Sequence, residues 1–247
     1  MLYNYSMQKD NKKIIKWVFF SLFCFQIIYL LSVSGIFGHF WMDAQGKREV
    51  NELITYSPFY FKNGYYYLYF TTISNLLLAL SGALFVLKPT CVHRKRFFFI
   101  SIIYMTITFL FYWGLISWNK STLHTWKNPL KTINSILVHL VFYIQAIVVL
   151  FIYKENIIMS FKEILFGTIG LWIYLAFALI LFYSTSPHVI IYDFINFNKP
   201  LFINTDSPIL RGVIITIIVL LMPIISSVIG LIFKLLLIIR FTKKRVI

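Results

Sequence analysis

Residues 212–237 read GVIITIIVLLMPIISSVIGLIFKLLL, an apolar run with a single charged side chain, Lys234. An α-helix needs about 20 apolar residues to cross the roughly 30 Å hydrocarbon core of a bilayer. A lone strand in lipid would leave its backbone groups unpaired, so this run predicts a transmembrane helix. The rest of the chain has the same character, since 60% of its 247 residues are hydrophobic and only 13% are charged.

Further apolar runs of similar length occupy residues 17–37, 65–87, 97–118, 133–153 and 164–183. Short polar stretches separate them. We therefore expect an all-α integral membrane protein in which residues 1–247 form one domain of six transmembrane helices. A capping residue followed by proline marks two of the helix starts, at Asn128-Pro129 and Ser207-Pro208.

The first run has a second interpretation. Lysines precede it within residues 12–16, and residues 32–34 (Ser-Val-Ser) resemble a small-residue cleavage site, as in a secretory signal peptide. The run is longer than the usual apolar core of a signal peptide. This length favours a retained transmembrane helix.

The distribution of positive charge predicts the orientation. The net charge is +15, and basic residues concentrate in segments 9–16, 88–96 and 240–245, which lie on one side of a six-helix bundle. The positive-inside rule assigns that side to the cytoplasm. We therefore expect a multi-pass plasma-membrane protein with both termini cytoplasmic. The positive charge therefore does not imply a nucleic-acid partner, because the basic segments are expected to face the anionic lipids of the inner leaflet.

Few residues in the sequence suggest a catalytic, metal-binding or transport site. Cys24 lies within the first run and Cys91 in a predicted cytoplasmic loop, so the sequence predicts neither a disulfide nor a metal site. No phosphate-binding loop or other cofactor motif is visible, and no cofactor is expected. All eight acidic residues lie outside the apolar runs or at their edges. Because a proton-coupled carrier usually needs an intramembrane carboxylate, a small-molecule carrier is disfavoured.

Two polar features inside the predicted helices suggest a site. Thr71, Ser74 and Asn75 follow i, i+3, i+4 spacing and so share one helix face. His139 alone among the five histidines lies inside a predicted run. Thr71 and His139 each lie about 9 Å from the outer end of their helices, so they can meet if the helices are neighbours. Ser and Thr also commonly join membrane helices, which is the purely structural alternative.

These residues resemble a known family. Residues 69–76, YFTTISNL, are similar to the second-helix signature of bacterial members of the androgen-induced-gene and androgen-dependent tissue-factor-pathway-inhibitor-regulating protein family. The number of helices, the single His in the fourth run and residues 192–194 (Tyr-Asp-Phe), similar to a family Tyr-Pro-Phe, agree in order. The resemblance implies an intramembrane threonine hydrolase that cleaves esters between a fatty acid and a hydroxy fatty acid. By position, it implies Thr71 as nucleophile and His139 as its partner.

The implied chemistry suits these residue types. A threonine hydroxyl is a weak nucleophile until a base takes its proton, and neutral His139 can do so within about 3 Å. Asn75 or Ser74 would then donate to the oxyanion, and Tyr192 or Asp193 would support the imidazole. The competing interpretations are a lipid-binding or scaffold protein without catalysis and, less favoured, a carrier, which would need a water-filled path or a broken helix.

Overall fold

The computed structural model describes residues 2–41, 68–118, 126–127, 129–154, 157, 159–184, 191, 197–198, 200, 203 and 205–244. Its α-helices are α1 (Leu2–Trp41), α2 (Phe70–Leu87), α3 (Val92–Phe111), α4 (Pro129–Ile136), α5 (Phe142–Ile152), α6 (Phe161–Ser184) and α7 (Pro208–Lys244). A π-helical turn, Tyr112–Ile116, continues α3, and a second one, Leu137–Val141, joins α4 to α5.

Within these described residues, six helical segments are long and apolar enough to cross a membrane. They are Lys13–Ser32, Phe70–Leu87, Val92–Ile116, Pro129–Ile152, Phe161–Ser184 and Pro208–Leu237. The predicted all-α class and the predicted six membrane-length helices are confirmed. The third helix starts at Val92 and not at residue 97, because the basic residues before the apolar run are also helical.

Local capping explains where two helices begin. Pro208 is the first residue of α7, and the Leu210 N–H donates to the Ser207 Oγ at 3.3 Å, as the Ser-Pro pair predicts. At the start of α6, the Ser160 N–H donates to the Glu163 carboxylate at 2.7 Å and the Glu163 N–H donates to the Ser160 Oγ at 3.3 Å. This reciprocal pair is a capping box. Pro129 begins α4 as predicted, whereas Asn128 lies outside the described residues.

The chain divides into two compact units: Met1–Ser32 with Ile73–Met159, and Val33–Thr72 with Ser160–Ile247. Phenylalanine rings build the core of the first unit. Phe85 and Phe98 stack with ring centroids 4.7 Å apart, and Phe23 of α1 meets Phe98 edge-on at 6.2 Å. The Phe23 ring lies so close to Gly82 that a methyl group there would overlap it. Glycine at this position of α2 therefore allows α1 to approach closely.

In the second unit, α6 packs against α7. Pro223 lies inside α7 and has no N–H to donate to the Val219 carbonyl one turn earlier. The Trp172 Nε1 of α6 donates to that carbonyl at 3.0 Å. A backbone acceptor freed by proline inside the apolar helix is thus satisfied by a neighbouring helix, as the hydrocarbon environment requires.

Candidate functional site

His139 lies in the π-helical turn Leu137–Val141, in the middle of the fourth membrane-length segment. Only 8% of its surface is exposed. Its imidazole stacks face to face on the Tyr112 ring, with centroids 3.4 Å apart and an interplanar angle of 5°. Tyr112 belongs to the other π-helical turn, Tyr112–Ile116, so the two irregular turns contribute one ring each. Such turns occur frequently at functional sites.

The stacked pair presents unsatisfied polar atoms. The His139 Nδ1 and the Tyr112 hydroxyl are both buried and have no hydrogen-bond partner among the described residues. The Ser135 side chain is a polar neighbour of that hydroxyl, but no hydrogen bond of acceptable geometry joins them. In the tautomer protonated on Nε2, the His139 Nδ1 has a free lone pair that can accept a proton.

A group of tryptophans adjoins the stacked pair through Trp113. Trp113 contacts the Tyr112 ring edge-on, with centroids 5.3 Å apart, and its indole N–H is also buried without a partner among the described residues. By contrast, the Trp126 N–H donates to the Ser117 carbonyl at 3.1 Å, and the Trp118 N–H donates to the Trp113 carbonyl. The unpaired indole is therefore specific to Trp113 within this aromatic group.

Asn75 has a structural role in the first unit. Its Nδ2 donates to the Val138 carbonyl at 3.0 Å, and it accepts from the Gln26 Nε2 at its own carbonyl oxygen (3.2 Å) and at Oδ1 (3.3 Å). Asn75 and Gln26 are both fully buried. These bonds join α1, α2 and the residue next to His139. One donor of the Asn75 amide is thus already committed to the fold.

Ser74 is committed in the same way. Its hydroxyl lies 2.8 Å from that of Thr108 on α3. The Thr108 hydroxyl itself donates to the Tyr104 carbonyl at 3.1 Å, so the hydrogen between the two side chains comes from Ser74. In this arrangement the Ser74 hydrogen is not available to an oxyanion.

Thr71 lies in the first turn of α2, within the second unit, and is half-buried. Tyr174 of α6 contacts the residues that precede Thr71. Its hydroxyl donates to the Leu68 carbonyl at 3.0 Å, and its ring packs against Phe70 with centroids 5.0 Å apart. The adjacent Thr72 is more deeply buried, with 2% exposure. His139 belongs to the first unit, and its approach to Thr71 stays a prediction.

The two supporting residues predicted after the fifth helix, Tyr192 and Asp193, lie outside the described residues. In the part of the chain that the structure describes, no group of three or more His, Cys, Asp or Glu side chains could hold a metal ion. The site assembled in the first unit is therefore built from one imidazole, one phenol, one indole and amide or hydroxyl groups.

Sequence reasoning missed two members of this environment. Gln26 carried a usable signal, because an amide inside an apolar run needs a partner. Tyr112 carried none, since the chain has 16 tyrosines and periodicity does not single out the one that meets a histidine.

Comparison with known proteins adds no relative: the chain matches no protein-family model, no curated protein and no solved structure.

Proposed function

We propose that this protein is an intramembrane hydrolase of lipid esters, with Thr71 as the nucleophile and His139 as the general base. The observation that supports the proposal is the state of His139. Its imidazole is buried inside a membrane-length segment, held against Tyr112, and its Nδ1 has no hydrogen-bond partner among the described residues. A buried polar atom left unsatisfied destabilises a fold, so its retention favours a functional role.

The reaction proceeds in two balanced steps. The Thr71 Oγ attacks the acyl carbonyl carbon while His139 takes the hydroxyl proton, and the bond to the leaving alcohol breaks as His139 returns that proton to it. Water then attacks the acyl-threonine and gives a proton to His139, which passes it to the departing Thr71 oxygen. The products are a fatty acid and an alcohol, and esters of hydroxy fatty acids are the substrate class that the family resemblance implies.

Labelling with an activity-based serine/threonine hydrolase probe tests the nucleophile. In purified protein in nanodiscs, we expect Thr71→Ala to reduce labelling to background, because the probe needs an activated hydroxyl. Thr72→Ala is the matched control, since Thr72 is the neighbouring threonine in the same turn of α2, and it should label like the wild type. Labelling that survives Thr71→Ala, or wild-type protein that is folded but unlabelled, contradicts the assignment.

A second candidate is a lipid-binding or scaffold protein without catalysis. The hydrogen bonds of Ser74 and Asn75 favour it, because the Ser74 hydroxyl and one N–H of the Asn75 amide hold helices together. A carrier receives less support, since α2, α6 and α7 run unbroken and α7 continues through Pro223.

We further infer a plasma-membrane location with both termini cytoplasmic. Support comes from the charge distribution, because Lys88 in the loop after α2 and three basic residues at the start of α3, Arg94, Lys95 and Arg96, lie on the side that the positive-inside rule assigns to the cytoplasm. Cys91 lies in this loop, at the N-cap of α3.

Cys91 offers a direct test of orientation. Hydrogen bonding from the Arg94 backbone N–H lowers the pKa of the Cys91 thiol, which raises its thiolate fraction near neutral pH and so its reactivity. We expect a membrane-impermeant maleimide to label the Cys24→Ser variant in inside-out vesicles and not in right-side-out vesicles. A cysteine introduced by Asp206→Cys, before α7, should label with the opposite preference. Cys91 labelling in right-side-out vesicles would overturn the orientation.

A further inference from the structure

The proposed reaction leaves Tyr112 and Trp113 without a role. Both residues begin the π-helical turn Tyr112–Ile116, and Tyr112 is 5% exposed. The Tyr112 hydroxyl and the Trp113 indole N–H are buried without hydrogen-bond partners among the described residues, as is the His139 Nδ1. The Tyr112 and His139 rings stack and Trp113 meets the Tyr112 ring edge-on, so the three side chains form one contiguous cluster.

We propose that Tyr112 and Trp113 form a binding site for an ester oxygen of a membrane lipid, next to His139. The inference rests on the proposed function for its substrate class and adds the residues that hold the substrate. An indole N–H can only donate and a phenol donates readily, so their common ligand is a hydrogen-bond acceptor.

The charge of the residues around the proposed site favours a neutral hydrogen-bond acceptor over an anionic one. The three groups carry no fixed positive charge. Lys131 precedes His139 by two helical turns on the fourth span and so lies about 12 Å away along the axis, and Lys127, next to the Trp126 that packs against Trp113, has an exposed side chain. A phosphate or carboxylate buried beside neutral donors would lack a counter-ion, which is costly in a low-dielectric region. A neutral ester carbonyl oxygen has no such cost.

The backbone is irregular where the third and fourth spans meet at this cluster. A π-helical turn inserts an extra residue and rotates the following side chains relative to an α-helix. Tyr112 occupies the first position of its turn and His139 the middle of the other. Two such turns, one on each of two packed spans, bring a phenol and an imidazole into register inside the first unit.

The test compares an ester lipid with its ether analogue, which has the same chains and lacks the carbonyl. Both are made photoactivatable and clickable, and crosslinking is measured in nanodiscs across a range of lipid concentrations. The wild type should bind the ester more tightly than the ether. Tyr112→Phe, which preserves ring stacking on His139, and Trp113→Phe should each reduce that preference by about threefold to tenfold, as expected for the loss of one hydrogen bond.

Tyr143→Phe is the matched control, because the Tyr143 hydroxyl already accepts a hydrogen bond from Thr106 at 3.4 Å. It should keep the wild-type preference. Equal binding of ester and ether by the wild type, or an unchanged preference in both Tyr112→Phe and Trp113→Phe, overturns the site. Hydrolysis of the ester is recorded on the same samples. Ester-selective binding without any hydrolysis sustains the binding site and rejects the proposed function, so the two failures are distinguishable.

Discussion

Hydrolysis of lipid esters by the His139→Phe variant is expected to fall by about 10²–10⁴-fold, the usual contribution of a positioned general base. Phenylalanine keeps an aromatic ring against Tyr112, so the 3.4 Å stack that packs this site in the wild type is largely preserved. The loss should therefore appear in kcat without a comparable rise in KM, because only the proton acceptor is removed. The measurement is the rate of fatty-acid release from a fluorogenic ester of a hydroxy fatty acid.

His93→Phe is the control for that experiment, since His93 lies in the first turn of α3 among the basic residues that follow α2. It should retain wild-type hydrolysis. Thermal unfolding followed by gel filtration establishes that both variants are folded. If folded His139→Phe hydrolyses the ester at the wild-type rate, His139 is not the base.

The membrane-length helices were predictable because their signal is local and repeated. Run length and charge placement decide them residue by residue, and the Ser207-Pro208 pair marked the start of α7 correctly, down to the hydrogen bond between the Leu210 N–H and the Ser207 Oγ. The extension of α3 back to Val92 was not predicted, since a basic helix that leaves the bilayer has no hydropathy signal.

The partners inside the bundle were not predictable in the same way. Helix order decides that Asn75 meets Gln26, which is 49 positions earlier in the chain, and a single sequence contains no information on pairings over that distance. The same limit applies to Tyr112 and His139, which stack although they lie on different spans. Depth alone predicted polar residues at one level, whereas the structure assigns Ser74 and Asn75 to helix association and leaves the His139 Nδ1 without a partner among the described residues.

Asn75→Leu is expected to destabilise the first unit by about 2 kcal/mol, because the substitution removes the Nδ2 bond to the Val138 carbonyl and the side-chain acceptor of the Gln26 amide, which keeps only the backbone carbonyl of residue 75. Single hydrogen bonds between membrane helices contribute about 0.6 kcal/mol on average, so a residue that joins two other helices should exceed that value. The measurement is the free energy of unfolding on titration with a denaturing detergent. Ser81→Ala is the control: Ser81 is equally buried on α2 but, among the described residues, its side chain bonds only within its own helix, to the Leu78 carbonyl at 3.2 Å.

A double-mutant cycle decides whether the Gln26 contact carries part of this effect. Gln26→Leu alone should also destabilise the protein, and adding it to Asn75→Leu should cost less than the sum of the two single changes, because the bond between the two side chains can be lost only once. Strict additivity would mean that the Gln26 and Asn75 side chains contribute independently. Loss of hydrolysis in Asn75→Leu that persists in the double variant would indicate that Asn75 supports His139, since the bond from its Nδ2 ends on the carbonyl of the preceding residue and is absent from both variants.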